Sequence, residues 1–144
     1  MRLTAAEVGF FEDYEDDEAL EVGIAGVDGA GVRRSFSIQR STYEPDDQEV
    51  RSGMDSYCVS TERGFTVYGC LRSVRLTGAL LTLQFTVEDA EVLDVATPVE
   101  VDLSGSGVDG VDLTGRLREI LDWGAPEKRP ELIGLSAAGP PLPE

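Results

Sequence analysis

Carboxylates dominate the chemistry this chain has to offer. Asp and Glu total 28 against 12 Lys and Arg, and there is no histidine. Without imidazole the chain lacks the commonest general base, metal ligand and physiological pH switch. Neither a Ser-His-Asp nor a Cys-His nucleophile can be assembled within it. Two cysteines, Cys58 and Cys70, are too few for a disulfide scaffold or a zinc site. One polar stretch remains. Gln39 and Arg40 close an apolar run, Asp46-Asp47-Gln48 follow in an acidic loop, and Gly53-Met54-Asp55 leads back into apolar sequence that reaches Tyr68-Gly69. Asp46, Asp47 and Asp55 carry hard oxygen donors of the kind that hold a divalent cation. Their spacing is not that of a calcium loop, and a glycosidase-like carboxylate pair has equally little support where such pairs abound. No metal, no cofactor and no enzymatic activity are expected. The chemistry that fits is recognition, with a polar loop displayed between two strands.

Charge narrows the partner. A net −16 repels phosphates, so direct nucleic-acid binding is not expected, and it disfavours anionic membrane surfaces. It favours fast encounter with a basic protein through complementary fields. Plain solubility is the competing explanation of the same charge. Met1-Arg2-Leu3-Thr4 runs on to Glu7 and an acidic stretch without an apolar signal core, and no apolar run is long enough to span a membrane. The expected compartment is the cytoplasm, with both thiols reduced.

The elements that must position the loop are strands. At 144 residues one folded domain is expected, placed over 18–124, with an acidic N-terminal arm over 1–17 and a proline-rich tail over 125–144. Leu3 to Phe10 reads as a weak strand or a loose arm, and Glu12 to Glu18 as a solvated acidic run. Leu20, Val22 and Ile24 alternate with Glu21, Gly23 and Ala25, the period of a half-buried strand. Asp28-Gly29-Ala30-Gly31 turns the chain into a second strand with Phe36 and Ile38 inward. Ser56–Thr61 and Phe65–Cys70 read as a pair around Arg63-Gly64, in a register that sets Cys58 opposite Gly69 and sends Cys70 to the other face. Leu71–Leu76 and Ala79–Thr86 form a hairpin about Thr77-Gly78, with Val74 and Leu76 facing Leu81 and Ala79. Val87–Val95 has a helical pattern, and Pro98–Leu103 reads as the last strand. Leu113, Leu117, Ile120 and Leu121 share one helix face behind an N-cap at Asp109 or Asp112. The fold class is α+β: a dominant antiparallel sheet of about six or seven strands, one short helix and one C-terminal helix packed on the sheet.

Within that frame, Arg40 is expected to pair with Asp46, Asp47 or Asp55 and pin the loop, and Gln39 to bond loop backbone. Gly53 and Gly69 read as backbone devices at the loop's return and at a bend. Met54, Tyr57 and Tyr68 are candidate interface anchors, with core and surface both open for the two tyrosines.

Taken together, Phe36-Ser37-Ile38-Gln39-Arg40, Asp46-Asp47-Gln48, Gly53-Met54-Asp55-Ser56-Tyr57-Cys58 and Val67-Tyr68-Gly69 resemble the immunity protein 10 family of bacterial polymorphic toxin systems. The resemblance covers about residues 18–122 by element order. Where the family carries two glycines after the tyrosine, this chain has Gly69-Cys70. The resemblance implies an α+β cytoplasmic protein that neutralises a cognate toxin by binding it. Asp46, Asp47, Gln48, Met54, Asp55 and Tyr68 are the expected contact residues, on one loop–strand patch. A toxin with a basic surface is the expected partner, and a nuclease is the electrostatic favourite because phosphate-binding sites are basic. The alternative is a small-molecule or peptide-binding regulatory domain that uses the sheet face.

Overall fold

The computed structural model describes residues 1–135. The expected proline-rich tail lies outside them from residue 136 onward. The described residues form one nine-stranded sheet, three α-helices and a 3₁₀ turn at Pro126–Lys128. In chain order the elements are β1 (Arg2–Asp13), β2 (Ala19–Asp28), β3 (Arg33–Ser41), α1 (Asp47–Arg51), β4 (Cys58–Thr61), β5 (Thr66–Tyr68), β6 (Leu71–Thr77), β7 (Leu80–Phe85), α2 (Val87–Leu93), β8 (Val99–Asp102), α3 (Gly110–Leu121) and β9 (Glu131–Ile133). The sheet order is β5-β4-β3-β2-β1-β8-β7-β6-β9. Pairing is antiparallel except at β1/β8 and β6/β9. This is an α+β, sheet-dominant fold.

The connection between β5 and β6 fixes the shape of the sheet. These strands stand seven places apart in the order, which would be roughly 34 Å in a flat sheet at about 4.8 Å per strand. Only Gly69 and Cys70 join them, and the step from Tyr68 to Leu71 reaches at most about 10 Å. The sheet must therefore roll until its ends meet. Tyr57 marks the seam. Its buried hydroxyl accepts from Leu71 N at 2.8 Å and donates to Leu71 O at 3.3 Å. Phe36 on β3 and Phe85 on β7 stack across the interior with centroids 6.5 Å apart.

Alternation supplies the inner wall. Leu20, Val22 and Ile24 on β2, Phe36 and Ile38 on β3, Leu81, Leu83 and Phe85 on β7, and Val99 and Val101 on β8 are all buried. Leu113, Leu117, Ile120 and Leu121 bury one face of α3, which lies against β2 and β3. Its N-cap is Asp109, whose carboxylate accepts from Val111 N at 2.9 Å.

Several local expectations change. Leu3 to Phe10, expected as a weak strand or loose arm, lies within β1, the longest strand among the described residues, between β2 and β8 at the middle of the sheet. A register shift between Ala5 and Glu7 hides its alternation: Leu3 and Ala5 are buried, then Val8 and Phe10 take over the inner face one residue out of phase. The acidic run is a built turn. The Asp13 carboxylate accepts from the amides of Glu15, Asp16 and Asp17 at 2.9, 3.1 and 3.3 Å, which holds its pKa below the usual 3.8. Pro98–Leu103 is not the last strand. β9 follows on the far edge, and Leu135 beyond it is buried. The sheet is thus continuous across both expected boundaries, near 17 and near 124.

The turn between β4 and β5 holds three residues, Glu62 to Gly64, and Thr61 N donates to Phe65 O at 3.0 Å. That extra residue sets Cys58 opposite Tyr68 instead of Gly69. Cys70 lies past the strand's end, fully buried in the core and not on the outer face; both thiols are free. The β6–β7 turn is Gly78-Ala79, so Leu76 pairs with Leu81 and Val74 with Leu83. The shift is two residues, and the inward face is unchanged.

Candidate functional site

The acidic loop folds around a single helical turn. Asp46 caps α1: its carboxylate accepts from Glu49 N at 2.8 Å, and Glu49 Oε1 accepts from Asp46 N at 3.0 Å. This reciprocal pair is the capping box that an Asp-x-x-Glu spacing encodes. Asp46, Asp47 and Gln48 are exposed at the start of the helix. After Val50 the chain returns through Gly53, whose φ of +76° suits glycine. Met54 N then donates back to Glu49 O at 2.8 Å. Met54 itself is 47% exposed.

Arg40 does not pin this loop. It shares a strand face with Phe36 and Ile38, the face that α3 covers, so its guanidinium extends over the end of that helix. Nε donates to Glu119 O at 2.9 Å, Nη1 to Ser41 O at 2.8 Å, and the group lies 4.9 Å from the Trp123 ring centroid. A cation on the last carbonyls of a helix is favoured by the helix dipole. The expected ion pair with Asp46, Asp47 or Asp55 is replaced by this tie between β3 and α3. Gln39 faces the other way and stands beside Cys58, its partner across β3 and β4, which in turn pairs with Tyr68 across β4 and β5. Burial raises the pKa of Cys58 and of Tyr68.

Asp55 is committed within the molecule. Its carboxylate pairs with Lys128, the chain's single lysine, which also donates to Gly53 O at 3.2 Å. The hydrogen bond from Lys128 holds the Asp55 pKa below the usual range. The Asp55 carbonyl accepts from Ala125 N at 2.9 Å. Gly124, at φ +83°, presses against that carbonyl so closely that a Cβ would collide with it. Gly69, at the β5–β6 corner, rests on the Lys128 side chain.

Two depressions flank α1. On one side Gln39, Arg40, Met54 and Tyr68 meet around a cavity of about 190 Å³. Asp17, Glu18, Tyr43, Glu49 and Cys58, with the small residues Ala19, Ser41 and Ser56, complete its walls. Asp47 and Gln48 belong to the helix that supplies Glu49, and Asp46 caps it. On the other side Asp55 lines a separate cleft with Val50, Asp122, Trp123 and Gly124. The sequence therefore marked four wall residues of the first cavity and missed eight. The capping spacing was a signal for Glu49. The contributions of Asp17 and Glu18 depend on the β1–β2 hairpin, whose first strand was unclear in sequence. A larger concavity of about 590 Å³ lies on the outer face of β1–β4, floored by small residues such as Gly9, Gly23, Ala25, Ser35 and Ser37, with Glu7 and Glu21 on its walls.

Among the described residues no group of three or more His, Cys, Asp or Glu is arranged to hold a metal ion, and no helix is long and apolar enough to cross a membrane. A family model described as immunity protein 10 matches residues 4–110. The match runs from β1 through β8 and ends where α3 begins, so it starts earlier and stops earlier than the sequence resemblance indicated. No curated protein and no solved structure matches the chain.

Proposed function

The chain belongs to the immunity protein 10 family, and from that premise we propose that it is a stoichiometric inhibitor that binds and neutralises a cognate bacterial toxin of a polymorphic toxin system. It acts by occupation, not turnover, in the cytoplasm of the cell it protects. The observation that carries the reading is the exposed acidic turn of α1 beside Met54 and Tyr68, in a chain of net charge −16. Asp46, Asp47 and Gln48 present charge and hydrogen-bonding capacity, while Met54 and Tyr68 offer apolar contact area next to it. Asp55, on the opposite side of α1, holds the loop through Lys128 and supports the patch from behind. The partner surface is basic, and a nuclease fits best because its phosphate-binding site carries the required charge. Nucleic acid and membranes are not partners.

The test is co-expression with the toxin encoded beside the gene. The intact protein should rescue growth and form a one-to-one complex. Loss of rescue on changing Asp47 and Tyr68 together, with folding retained, supports the patch. No rescue by the wild-type protein and no complex would overturn the inhibitor reading. One observation favours the second reading, a small-molecule or peptide-binding regulator: the outer-face concavity of about 590 Å³ falls within the range of ligand pockets. A metabolic operon in place of a toxin gene next door would favour it.

A further inference from the structure

The cavity beside α1 has an occupant written into its walls. At about 190 Å³ it is smaller than the roughly 300–1,000 Å³ of ordinary ligand pockets. It holds the equivalent of about six waters at roughly 30 Å³ each, which is room for one long side chain and not for a helix. Its charged walls are Asp17, Glu18 and Glu49 against Arg40 alone. The Arg40 guanidinium is already hydrogen-bonded to Glu119 O and Ser41 O and lies over Trp123. The remaining carboxylates have no such cation among the ion pairs of the described residues. The largest of the other wall groups are aromatic and thioether: Tyr43, 45% exposed, Tyr68, 37% exposed, and Met54, beside Gln39, Cys58 and the small residues Ala19, Ser41 and Ser56. The Tyr43 hydroxyl donates to Glu49 Oε2 at 3.4 Å, which sets an aromatic ring beside a carboxylate.

We propose that this cavity is the receptor for a single arginine side chain of the partner protein, stacked against Tyr43 and Tyr68 and paired with Glu49. The proposal rests on the inhibitor reading for the identity of the partner. The chemistry is specific to a guanidinium. It is planar, so it stacks on a ring while its edge donates to a carboxylate, and it is weakly hydrated, so entering a small cavity costs it less than it costs an ammonium. The cavity also joins three separate parts of the chain. The β1–β2 turn is ordered by Asp13, α1 by its capping box, and β5 by its pairing with β4. The walls therefore stand in place before a partner arrives.

The test uses the intact protein and three probes: N-acetyl-arginine N′-methylamide, its lysine counterpart and its neutral citrulline counterpart. Tyr ring and Met methyl resonances are followed by NMR. The arginine probe should shift Tyr43, Tyr68 and Met54 saturably, the lysine probe less, and the citrulline probe not at all. Glu49→Gln keeps a capping-box residue at that position and should still weaken arginine binding by roughly fivefold; Tyr68→Leu should weaken it by roughly two- to fivefold, the range of an exposed cation–π contact. Equal shifts from the arginine and citrulline probes, or no saturation, would overturn the proposal, and equal affinity for lysine would overturn its choice of arginine. The toxin separates the two readings. Unchanged neutralisation and unchanged affinity in Glu49→Gln and Tyr43→Leu would sink the cavity and leave the inhibitor standing. Probe binding by a wild-type protein that protects against no neighbouring toxin would sink the inhibitor and leave the cavity standing.

Discussion

The two sides of α1 use the same residue type in opposite ways. On the cavity side, carboxylates at Asp17, Glu18, Asp47 and Glu49 surround or adjoin an opening with exposed aromatic walls. On the clasp side, one residue after Met54, the Asp55 carboxylate is taken up by Lys128, and its carbonyl is held by Ala125 and covered by Gly124. The difference lies in the single lysine. A chain with 28 acidic residues has few cations to spend internally, and the one placed under the loop decides which carboxylate becomes structural. Acidity at the surface therefore measures display only where no cation has been assigned.

The largest effect should come from the glycines of the two sides. Gly53 and Gly124 both have positive φ, but a Cβ at Gly53 meets nothing within 4 Å, while one at Gly124 would collide with the Asp55 carbonyl. Gly53→Ala should cost only the left-handed backbone term, about 1 kcal/mol. Gly124→Ala adds displacement of packed backbone and should cost about 3 kcal/mol or more, lowering the Tm by roughly 10 °C. Chemical denaturation of both variants checks this. Equal losses would mean that the two sides are not mechanically different.

A smaller effect should follow from removing the cation. Lys128→Met leaves Asp55 without its charged partner and should cost about 2 kcal/mol, the scale of a hydrogen bond to a charged group. The pH dependence has a definite sign. The folded-state pKa of Asp55 lies below the usual 3.8, so the pair's contribution is fully present above that value and is lost as pH falls through the depressed one. The stability gap between wild type and Lys128→Met should hold from neutral pH down toward the usual carboxylate range and shrink as pH falls below it through the depressed Asp55 value. A gap that shows no dependence on acid pH would show that the lysine acts through its aliphatic stem against Gly69 and not through charge.

Much of the frame was legible because its periods are local. The β2–β3 hairpin and the buried face of α3 follow from alternation and from the i, i+4, i+7, i+8 spacing of Leu113, Leu117, Ile120 and Leu121. β1 was obscured by the bulge near Ala5, which breaks the period halfway along. β9 was obscured by length, since three residues carry no pattern and its partner β6 is remote in sequence. One additional turn residue before Phe65 moved Cys58 to Tyr68, and rolling of the sheet buried Cys70. At the site, the loop residues were legible as a displayed group, but their pairings were not. Lys128 meets Asp55 across 73 positions, and Arg40 meets Glu119 across 79. Nothing local in sequence encodes such contacts.

The smallest effect on stability should be the most informative about function. Asp47 is exposed in the first turn of α1, where a carboxylate gains only about 0.3–1 kcal/mol from the helix dipole. Asp47→Lys should therefore shift folding stability by less than about 1 kcal/mol. On the clasp side, Asp122→Lys makes the same change of net charge at a residue whose one ion pair among the described residues is an exposed one with Arg129. If association with a basic toxin is steered by the display side, the two reversals differ in rate though not in charge. Asp47→Lys should slow association roughly tenfold at low salt and flatten its salt dependence, because the Debye length of about 8 Å at physiological ionic strength confines steering to charges near the contact. Asp122→Lys should slow it far less. Stopped-flow association at two ionic strengths separates the cases. Equal slowing would assign the steering to the total charge of the molecule and remove α1 from the binding face.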